Sequence, residues 1–277
     1  MTIENEDGMR NAFIEWLRCT KHNLLDHAWF KVFYRSGLYH VHTVDNVHLK
    51  FPHNPFLPFF EIWGYLKEGK WRLDLGMQVV DAGAYLGEFS LYASARVGPT
   101  GCVFLIEPDP SNLERLERIF MLNGGKPANL VVINAGLWNE SGIREFAGDM
   151  NGSSTLVIGA ENGSEQETLH RFDEKISKAQ KIKIQVQSLS DFVQAHAIQR
   201  LDFVKMDIEG AEVEVIGGAS SILSKYKPRF AIASYHIRAG KQTSEILRPI
   251  FLSLDYYVET GFPKHLTTYA SPTPFPQ

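Results

Sequence analysis

The sequence has few of the features that mark secreted, membrane or nucleic-acid-binding proteins. It contains two cysteines in 277 residues, too few for a disulfide framework, which favours a reducing compartment. It has no run of about 20 apolar residues, and its first residues lack the apolar segment of a signal peptide. Lys and Arg number 28 against 32 Asp and Glu, and they form no basic tract. We therefore expect a soluble, cytoplasmic protein whose partner is neither a membrane nor a nucleic acid.

The chain is long enough for one large α/β domain with an extension. Its residues are 44% hydrophobic and 22% charged, which is typical of a folded protein with an ample core. The N-terminal part predicts a helix, a set of short strands and a second helix, over residues 11–25, 31–51 and 59–67. We assign residues 1–76 to a cap that covers the cofactor or shapes the acceptor pocket, and residues 77–277 to the main domain.

Four histidines lie in this N-terminal part: His40, His42, His48 and His53. The first two would share one face of a strand, as metal ligands do. No acidic or cysteine ligand accompanies them at a matched spacing. We therefore interpret them as histidines of a hairpin and predict no metal site there.

The main domain is organised around residues 77–120, which predict a β-α-β unit. A strand over 77–80 leads through a glycine-bearing turn into a helix over 88–96. A second strand, Cys102–Ile106, ends on Glu107, and the helix after it is predicted to begin with a capping box of Ser111 and Glu114. This order suits an adenosine cofactor bound at the carboxyl ends of parallel strands.

The glycine turn distinguishes between two such cofactors. Gly83 and Gly87 allow a sharp turn and a close ligand approach, and Glu107 is placed to accept hydrogen bonds from a ribose. A dinucleotide site needs Gly-x-Gly-x-x-Gly, but Asp81 stands at the first glycine position. An acid there repels a pyrophosphate and can hold a cationic amino-acid group. S-adenosylmethionine therefore fits better than NAD, and an ordinary strand-to-helix turn is the alternative.

Polar residues follow two later strands at the same sheet edge. Asn134 and Ala135 come after the strand Leu130–Ile133, where they meet an adenine or form a plain turn. A strand within 201–208 carries Lys205 and delivers Asp207 and Glu209. Lys205 and Asp207 lie beside the transferred group, or else the acids only complement the dipole of the next helix.

The rest of the main domain completes the predicted sheet. His236 follows a strand over 229–234 and is either a general base or a loop histidine. The connection over 137–168 is rich in Gly, Ser and Asn and predicts a binding loop or lid, with hairpin strands at 143–146 and 155–158. A strand over 183–186 then precedes a helix capped near Ser190 or Asp191.

Three stretches together resemble one known family. VVDAGAYLGEFS, FLIEPDPSNLERL and DFVKMDIEGAEVEVIGGA, within residues 79–219, are similar to the FkbM family of S-adenosylmethionine-dependent methyltransferases, a branch of the class I superfamily. The Lys-x-Asp-x-Glu-Gly-x-Glu element at 205–212 is the family-specific part. One departure is Ser-Leu-Ser-Asp at 188–191, where relatives often read Thr-Leu-Asp-Asp, and it affects only local capping.

The resemblance implies a fold, a cofactor site and a reaction. The fold is a Rossmann-like, seven-stranded, mostly parallel sheet with one antiparallel strand and helices on both faces. The reaction is O-methylation of a small-molecule or glycan hydroxyl, as in sugars and natural products. The implied cofactor-binding residues are Asp81, Gly83, Ala84, Tyr85 and Gly87 around the methionine part, Glu107 and Pro108 at the ribose, and Asn134 and Ala135 near the adenine.

The expected chemistry needs an acceptor oxygen held in line with the methyl group and relieved of its proton. His236 or Asp207 would take the proton, with Lys205 and Glu209 beside them. Alternatively, Asp207 and Glu209 hold a divalent cation such as Mg²⁺ that lowers the pKa of the hydroxyl. The residues do not separate these mechanisms.

Three rival functions are weighed against this reading. A nicotinamide oxidoreductase shares the β-α-β unit, and a non-catalytic nucleoside-binding module would need only the cofactor half. A nucleic-acid methyltransferase is disfavoured by the acidic balance and by Asp-Ile-Glu-Gly at 207–210, where amino-methylating enzymes carry an Asn/Asp-Pro-Pro-aromatic loop.

Overall fold

The computed structural model describes residues 3–25, 29–148, 155–156, 180–238 and 240–276. The helices are α1 Ile3–Leu25, α2 Phe56–Tyr65, α3 Glu88–Val97, α4 Pro110–Leu122, α5 Leu189–Ala195, α6 Glu212–Gly217, α7 Ser220–Tyr226 and α8 Thr243–Leu252. The strands are β1 Phe30–Arg35, β2 Leu38–Thr43, β3 His48–Phe51, β4 Gln78–Ala82, β5 Cys102–Ile106, β6 Leu130–Ile133, β7 Gly136–Trp138, β8 Gly142–Gly148, β9 Thr155–Leu156, β10 Gln180–Ser188, β11 Phe203–Met206, β12 Arg229–Ala233, β13 Ile237–Arg238, β14 Lys241–Gln242, β15 Tyr257–Gly261 and β16 Thr267–Ser271. None of the helices within these ranges is long and apolar enough to cross a membrane.

A seven-stranded sheet in the order β15-β16-β12-β11-β4-β5-β6 forms the centre. The strands β6, β5, β4, β11 and β12 are parallel, and β16 runs antiparallel to both of its neighbours. This confirms the predicted mostly parallel sheet with an antiparallel strand. The chain builds outward from β4 through β5 to β6 and then returns to β11 on the other side of β4. The carboxyl ends of β4 and β11 therefore flank the topological switch point, where open α/β sheets bind ligands.

Alternate residues of the strands enter two separate cores, as expected for a sheet buried on both faces. Val79 and Phe203 pack in one core with α3, α4 and the N-terminal extension. Val80 and Val204 pack in the other core with α5 to α8. The two cores fix the sheet between helical layers and hold the strand ends in register.

The N-terminal extension shares the first of these cores. Its strands β1-β2-β3 form an antiparallel sheet, and the Trp29 ring lies 6.1 Å from Phe59 of α2 and 5.5 Å from Tyr92 of α3. The Tyr92 hydroxyl donates to Asp45 over 2.6 Å. These contacts attach α2 and the small sheet firmly to α3, so the extension brings α2 to the carboxyl edge of the main sheet. The cap role assigned to residues 1–76 stays a prediction.

The N-terminal histidines lie on the small sheet and beside it. The rings of His42 and His48 stack across β2 and β3 with centroids 4.1 Å apart. His53 Nε2 lies 2.7 Å from Glu88 Oε1 at the start of α3.

Two predicted helix caps are wrong by a few residues. Helix α4 is capped by Asp109, whose carboxylate accepts from the Ser111 amide over 2.9 Å, because Pro110 suits the first helical position. Glu114, the other member of the predicted capping box, instead pairs with Arg118. Helix α5 is capped by Ser188, and the residues named for that cap lie inside its first turn.

A second, four-stranded sheet in the order β7-β10-β8-β9 follows the main β-α-β unit. The predicted hairpin is confirmed where it is described, since β8 pairs antiparallel with β9 through Phe146 and Leu156. The rest of the predicted binding loop, at 149–154 and 157–168, lies outside the described residues. Strand β7 was not predicted; it pairs in parallel with β10 and places Leu137 at the sheet edge.

Candidate active site

A cavity of about 370 Å³ opens at the carboxyl ends of β4, β5 and β11 and is closed on one side by α2. Such a volume is in the usual range for small-molecule and cofactor sites. Its wall includes many of the predicted site residues: Gly83, Ala84, Tyr85, Glu107, Pro108, Ala135, Lys205, Asp207 and Glu209. Asp81, Gly87, Asn134 and His236 do not line it, and Asn134 is exposed to solvent.

Glu107 is fixed at the end of β5 by three donors. Its Oε2 accepts from the Tyr85 amide over 2.8 Å, and its Oε1 accepts from the Asp109 amide and the Asn112 side chain, over 2.9 and 3.2 Å. Burial raises the pKa of Glu107 to about 7, although these hydrogen bonds favour the charged form. A carboxylate oxygen has two lone pairs, so capacity remains for ribose hydroxyls.

The two turn glycines are required by packing within the protein. A Cβ on Gly83, which has a φ of +73°, would lie 1.8 Å from the Asp207 carbonyl oxygen, and a Cβ on Gly87 would lie 2.4 Å from Leu116 Cδ1. Gly83 therefore allows the turn after β4 to meet the end of β11, and Gly87 allows α3 to meet α4. These contacts give a reason within the protein for both glycines, and close ligand approach stays a prediction.

Lys205, which lines the cavity, forms a buried pair with Asp81, which does not. Lys205 Nζ lies 3.1 Å from Asp81 Oδ1 and donates to the Gly83 carbonyl over 2.7 Å. Asp81 is fully buried and its Oδ2 accepts from Ser90 over 2.6 Å. Burial opposes the charge on Lys205, but Asp81 and Asp207 outweigh it and raise the lysine pKa. Lys205 thus holds the glycine turn in place and also lines the cavity, and its expected position beside the transferred group stays a prediction.

Asp207 lies at the end of β11 and is strongly held as a carboxylate. Its Oδ2 accepts from the Tyr65 hydroxyl over 2.8 Å and lies 3.6 Å from His265 Nε2. Burial would raise the pKa of Asp207, but His265 and Lys205 hold it well below its usual range. A carboxylate with so low a pKa is a weak proton acceptor, which counts against Asp207 as the general base.

His236 lies between two glutamates beside the cavity. Its Nε2 is 3.3 Å from Glu209 Oε2 and its Nδ1 is 3.6 Å from Glu212 Oε1. Although burial lowers the pKa of His236, Glu212 and Glu209 raise it to about 9. The imidazole is therefore protonated at neutral pH and has no free lone pair for a substrate proton, which counts against His236 as the base.

Strained backbone lies at two positions of the cavity wall. Tyr85 and Glu209 have φ angles of +51° and +56°, in the left-handed region that costs energy for residues other than glycine. Both follow a strand at the switch point. Such strain is typical of functional turns, where the surrounding structure fixes an unfavourable conformation.

Four further residues of the cavity wall were missed from the sequence: Glu61, Tyr65, Tyr235 and His265. Glu61 and Tyr65 are one turn apart on α2, in a segment with no motif. His265 ends a 3₁₀ turn before β16, and its Nε2 lies 3.6 Å from Asp207 and 3.8 Å from Glu61. The only sequence signal was the i, i+4 spacing of Glu61 and Tyr65 on a predicted helix, which by itself does not point to a site.

Together these features define a Rossmann-like α/β protein with an acid-lined cavity at the switch point of its sheet. A model of the Methyltransferase FkbM domain matches residues 81–258, which include the glycine turn, Glu107 and the segment around Asp207. The chain therefore belongs to the FkbM methyltransferase domain family.

Individual relatives agree with this assignment. The chain is 30% identical over 155 residues to Methyltransferase sdnD of Sordaria araneosa, and the aligned region covers 50% of this chain and 59% of that protein. It is 28% identical over 145 residues to Methyltransferase 1 of Beauveria bassiana (strain ARSEF 2860), covering 50% and 57%. The crystal structure of Methyltransferase FkbM from Methylobacillus flagellatus KT matches with a TM-score of 0.51 at 25% identity, over 74% of this chain and 46% of that one. The chain thus spans somewhat more than half the length of the curated relatives it matches.

Proposed function

We propose that the protein transfers the methyl group of S-adenosylmethionine to a hydroxyl oxygen of a small molecule such as a sugar or a natural product. The observation that carries this proposal is a single cavity with two chemically different groups of residues. Tyr85 and Glu107 belong to the turn and strand end that suit a nucleoside. Glu61, Asp207 and His265 belong to a cluster of acids and an imidazole that suits a hydroxyl losing its proton.

The residues present fit S-adenosylmethionine. Glu107 retains acceptor capacity for ribose hydroxyls, and Ala135 lines the cavity where an adenine would lie. The buried acids give this region a negative potential, which favours the ammonium and sulfonium of the cofactor. When bound, the cofactor supplies a methyl group on a good leaving group, so the protein's task is to orient the acceptor oxygen, exclude water and accept a proton.

Asp207, with its low pKa, acts as a fixed negative charge at this site. Its carboxylate is oriented by Tyr65 and His265, which both approach Oδ2. It therefore stabilises positive charge near the reacting atoms and does not exchange protons. Tyr65 approaches Asp207 from α2 and donates to its Oδ2, and Asp207 itself lines the cavity.

A divalent cation is a second candidate at the same place. Asp207, Glu209 and His236 have candidate ligand atoms within 4.8 Å of one another, and oxygen ligands suit Mg²⁺. His236 would have to lose its proton before it could join the two carboxylates as a ligand. Such a cation would lower the pKa of the acceptor hydroxyl. Loss of methyl transfer on chelation and recovery with Mg²⁺ would support it, and full activity in chelator would remove it.

The test of the proposed function is a transfer assay with S-adenosylmethionine that carries a labelled methyl group. The acceptor panel contains sugars, phenols and aliphatic alcohols, each beside its O-methylated and amino analogue. We expect label in hydroxyl acceptors only, with release of S-adenosylhomocysteine. Transfer to amines alone, or a thermal shift with NADH and none with S-adenosylhomocysteine, would contradict the proposal. Binding of S-adenosylhomocysteine without any transfer would favour a non-catalytic nucleoside-binding module.

A further inference from the structure

Helix α2 presents one face to the cavity and the other to the protein core. Leu57, Glu61 and Tyr65 are four residues apart and share the cavity face, as helical spacing requires. Phe59, on the other face, is fully buried in the core with Trp29 and Phe51. The helix is thereby anchored, and the Glu61 carboxylate is held toward the site by a rigid element.

The three polar groups at this end of the cavity, Asp207, His265 and Glu61, differ in the partners that they already have within the protein. Asp207 Oδ2 accepts from Tyr65 and faces His265, so this oxygen has partners on both sides. His265 Nε2 lies between Asp207 Oδ2 and Glu61 Oε1, at 3.6 and 3.8 Å. The Glu61 side chain keeps 24% of its surface exposed, against 19% for the Asp207 side chain. His265 is the partner of Glu61 Oε1. Glu61 is therefore the acid with most freedom to contact a bound acceptor.

We propose that Glu61 is the catalytic base that accepts the proton of the acceptor hydroxyl, and that His265 is the positioning residue that holds it beside Asp207. This inference rests on the proposed O-methyl transfer. It assigns a catalytic group to the N-terminal extension, outside the residues 81–258 that match the family.

The step balances in atoms and charge. The acceptor O–H bond breaks and its proton passes to a carboxylate oxygen of Glu61. The acceptor oxygen forms a bond to the methyl carbon while the bond from that carbon to sulfur breaks, and the electron pair of the broken bond stays on sulfur, which gives neutral S-adenosylhomocysteine. Glu61 later releases the proton to water.

The acid–base properties of the cavity support this choice. Burial raises the pKa of Glu61 to about 6, so the group is ionised at neutral pH and still basic enough to take a proton. The charged groups that face it are His265 from the 3₁₀ turn, Asp207 and Lys205 from the end of β11, and Glu88 from the start of α3. By contrast, His236 does not line the cavity, and Asp207 Oδ2 already accepts a hydrogen bond from Tyr65.

The test compares Glu61→Gln, His265→Gln and the exposed control Glu114→Gln in the full chain. It uses a hydroxyl acceptor found in the labelled-methyl panel and measures kcat across acid to neutral pH. We expect Glu61→Gln to lower kcat by about 100-fold or more, the usual value of a general base. S-adenosylhomocysteine affinity, measured by calorimetry, should stay within about twofold, which also shows that the variant is folded. The control should behave as wild type.

The pH profile separates a catalytic role from a structural one. In wild type, kcat should fall as the pH drops through about 6, because Glu61 becomes protonated. Glu61→Gln should lose this limb. His265→Gln should retain it but move it to higher pH, because His265 lowers the pKa of the Glu61 carboxylate and its loss removes that effect.

The outcomes are distinguishable from those of the proposed function. An acceptor that is methylated equally well by wild type and by Glu61→Gln would overturn this inference and leave O-methyl transfer standing. So would a loss of activity in Glu61→Gln that leaves the acid limb in place. If no hydroxyl on the panel is methylated by wild type, O-methyl transfer fails and the inference falls with it.

Discussion

The Tyr65 hydroxyl donates a hydrogen bond of 2.8 Å to Asp207 Oδ2, although the two residues are 142 positions apart in the chain. The bond connects α2 of the N-terminal extension to the loop after β11. It joins a segment without a recognisable motif to the segment with the most family-specific one. The position and the charge of Asp207 therefore depend on Tyr65, a residue that no local sequence pattern connects to Asp207.

Replacement of Tyr65 by Phe should measure this connection. The variant keeps the ring and removes only the donor to a charged acceptor, so we expect a loss of about 2 kcal/mol in the free energy of unfolding. Tyr226→Phe is the matched control, because its hydroxyl donates to the neutral Ile198 carbonyl and its loss should be about 1 kcal/mol. Urea unfolding of both variants is the measurement, and equal losses would show that the charge of Asp207 contributes nothing.

Gly83→Ala should be far more damaging than its backbone conformation alone explains. Gly83 and Gly37 have nearly the same φ, +73° and +78°, but an added Cβ meets the Asp207 carbonyl at the first position and nothing within 4 Å at the second. Gly37→Ala should therefore cost about 1 kcal/mol from strain, and Gly83→Ala well above about 3 kcal/mol or a failure to fold. Similar stabilities in chemical denaturation would contradict the close approach of the turn to β11.

The buried pair of Lys205 and Asp81 predicts strong coupling. Lys205→Met leaves the Asp81 carboxylate buried without its cation and should cost about 3–5 kcal/mol of folding stability. Adding Asp81→Asn removes the unpaired charge, so the double variant should recover part of that loss. Calorimetric unfolding of the two single variants and the double variant gives the coupling energy. Additive losses would show that the two groups do not interact.

Glu107→Ala should weaken binding of S-adenosylhomocysteine at least about tenfold, since hydrogen bonds to a charged group are typically worth about 1.5–3 kcal/mol. Glu117→Ala on the exposed face of α4 is the control. Titration calorimetry in two buffers of different ionisation enthalpy adds a second readout. Ribose donors favour the ionised carboxylate, so wild type should release protons on binding near the pKa of about 7. Unchanged affinity would remove Glu107 from the cofactor site.

Glu107 should also make folding stability depend on pH. Its folded pKa of about 7 lies above the ordinary value of 4.5, so between these values the folded protein holds a proton that the unfolded chain has lost. Stability must then fall as the pH rises through this window, by about 3 kcal/mol at most for this group. Glu107→Gln should lack this decline in urea unfolding at a series of pH values. The same slope in both proteins would show that Glu107 is not the group responsible.

The strands that end at the cavity were largely predictable because their signals are local. Apolar runs of four or five residues, each followed by an acid or a glycine, defined β4, β5 and β11 and put Glu107 and Asp207 at one sheet edge. Local pattern could not show what each side chain contacts. Asp81 is buried against Lys205 on the neighbouring strand, a contact that no local pattern indicated, and its expected place at the methionine group stays a prediction.

The other half of the site depends on contacts between distant segments. Glu61 and His265 are separated by most of the chain and meet only because α2 and the 3₁₀ turn both pack at the carboxyl edge of the sheet. Their residue types and spacing match no motif. His236 was correctly placed near the strand end, but the flanking glutamates that determine its protonation became visible only in three dimensions.

The segment Phe56–Tyr65 lies outside the part of the chain that matches the family, yet it forms one wall of the cavity. Under the proposed function, a single short stretch of the chain contacts the acceptor, and the Tyr85 and Glu107 region belongs to another stretch. Exchange of this one helix between relatives would then change which molecules are modified and leave the Tyr85 and Glu107 region unchanged. In that case selectivity can diverge by recombination at one helix, without mutation of the glycine turn.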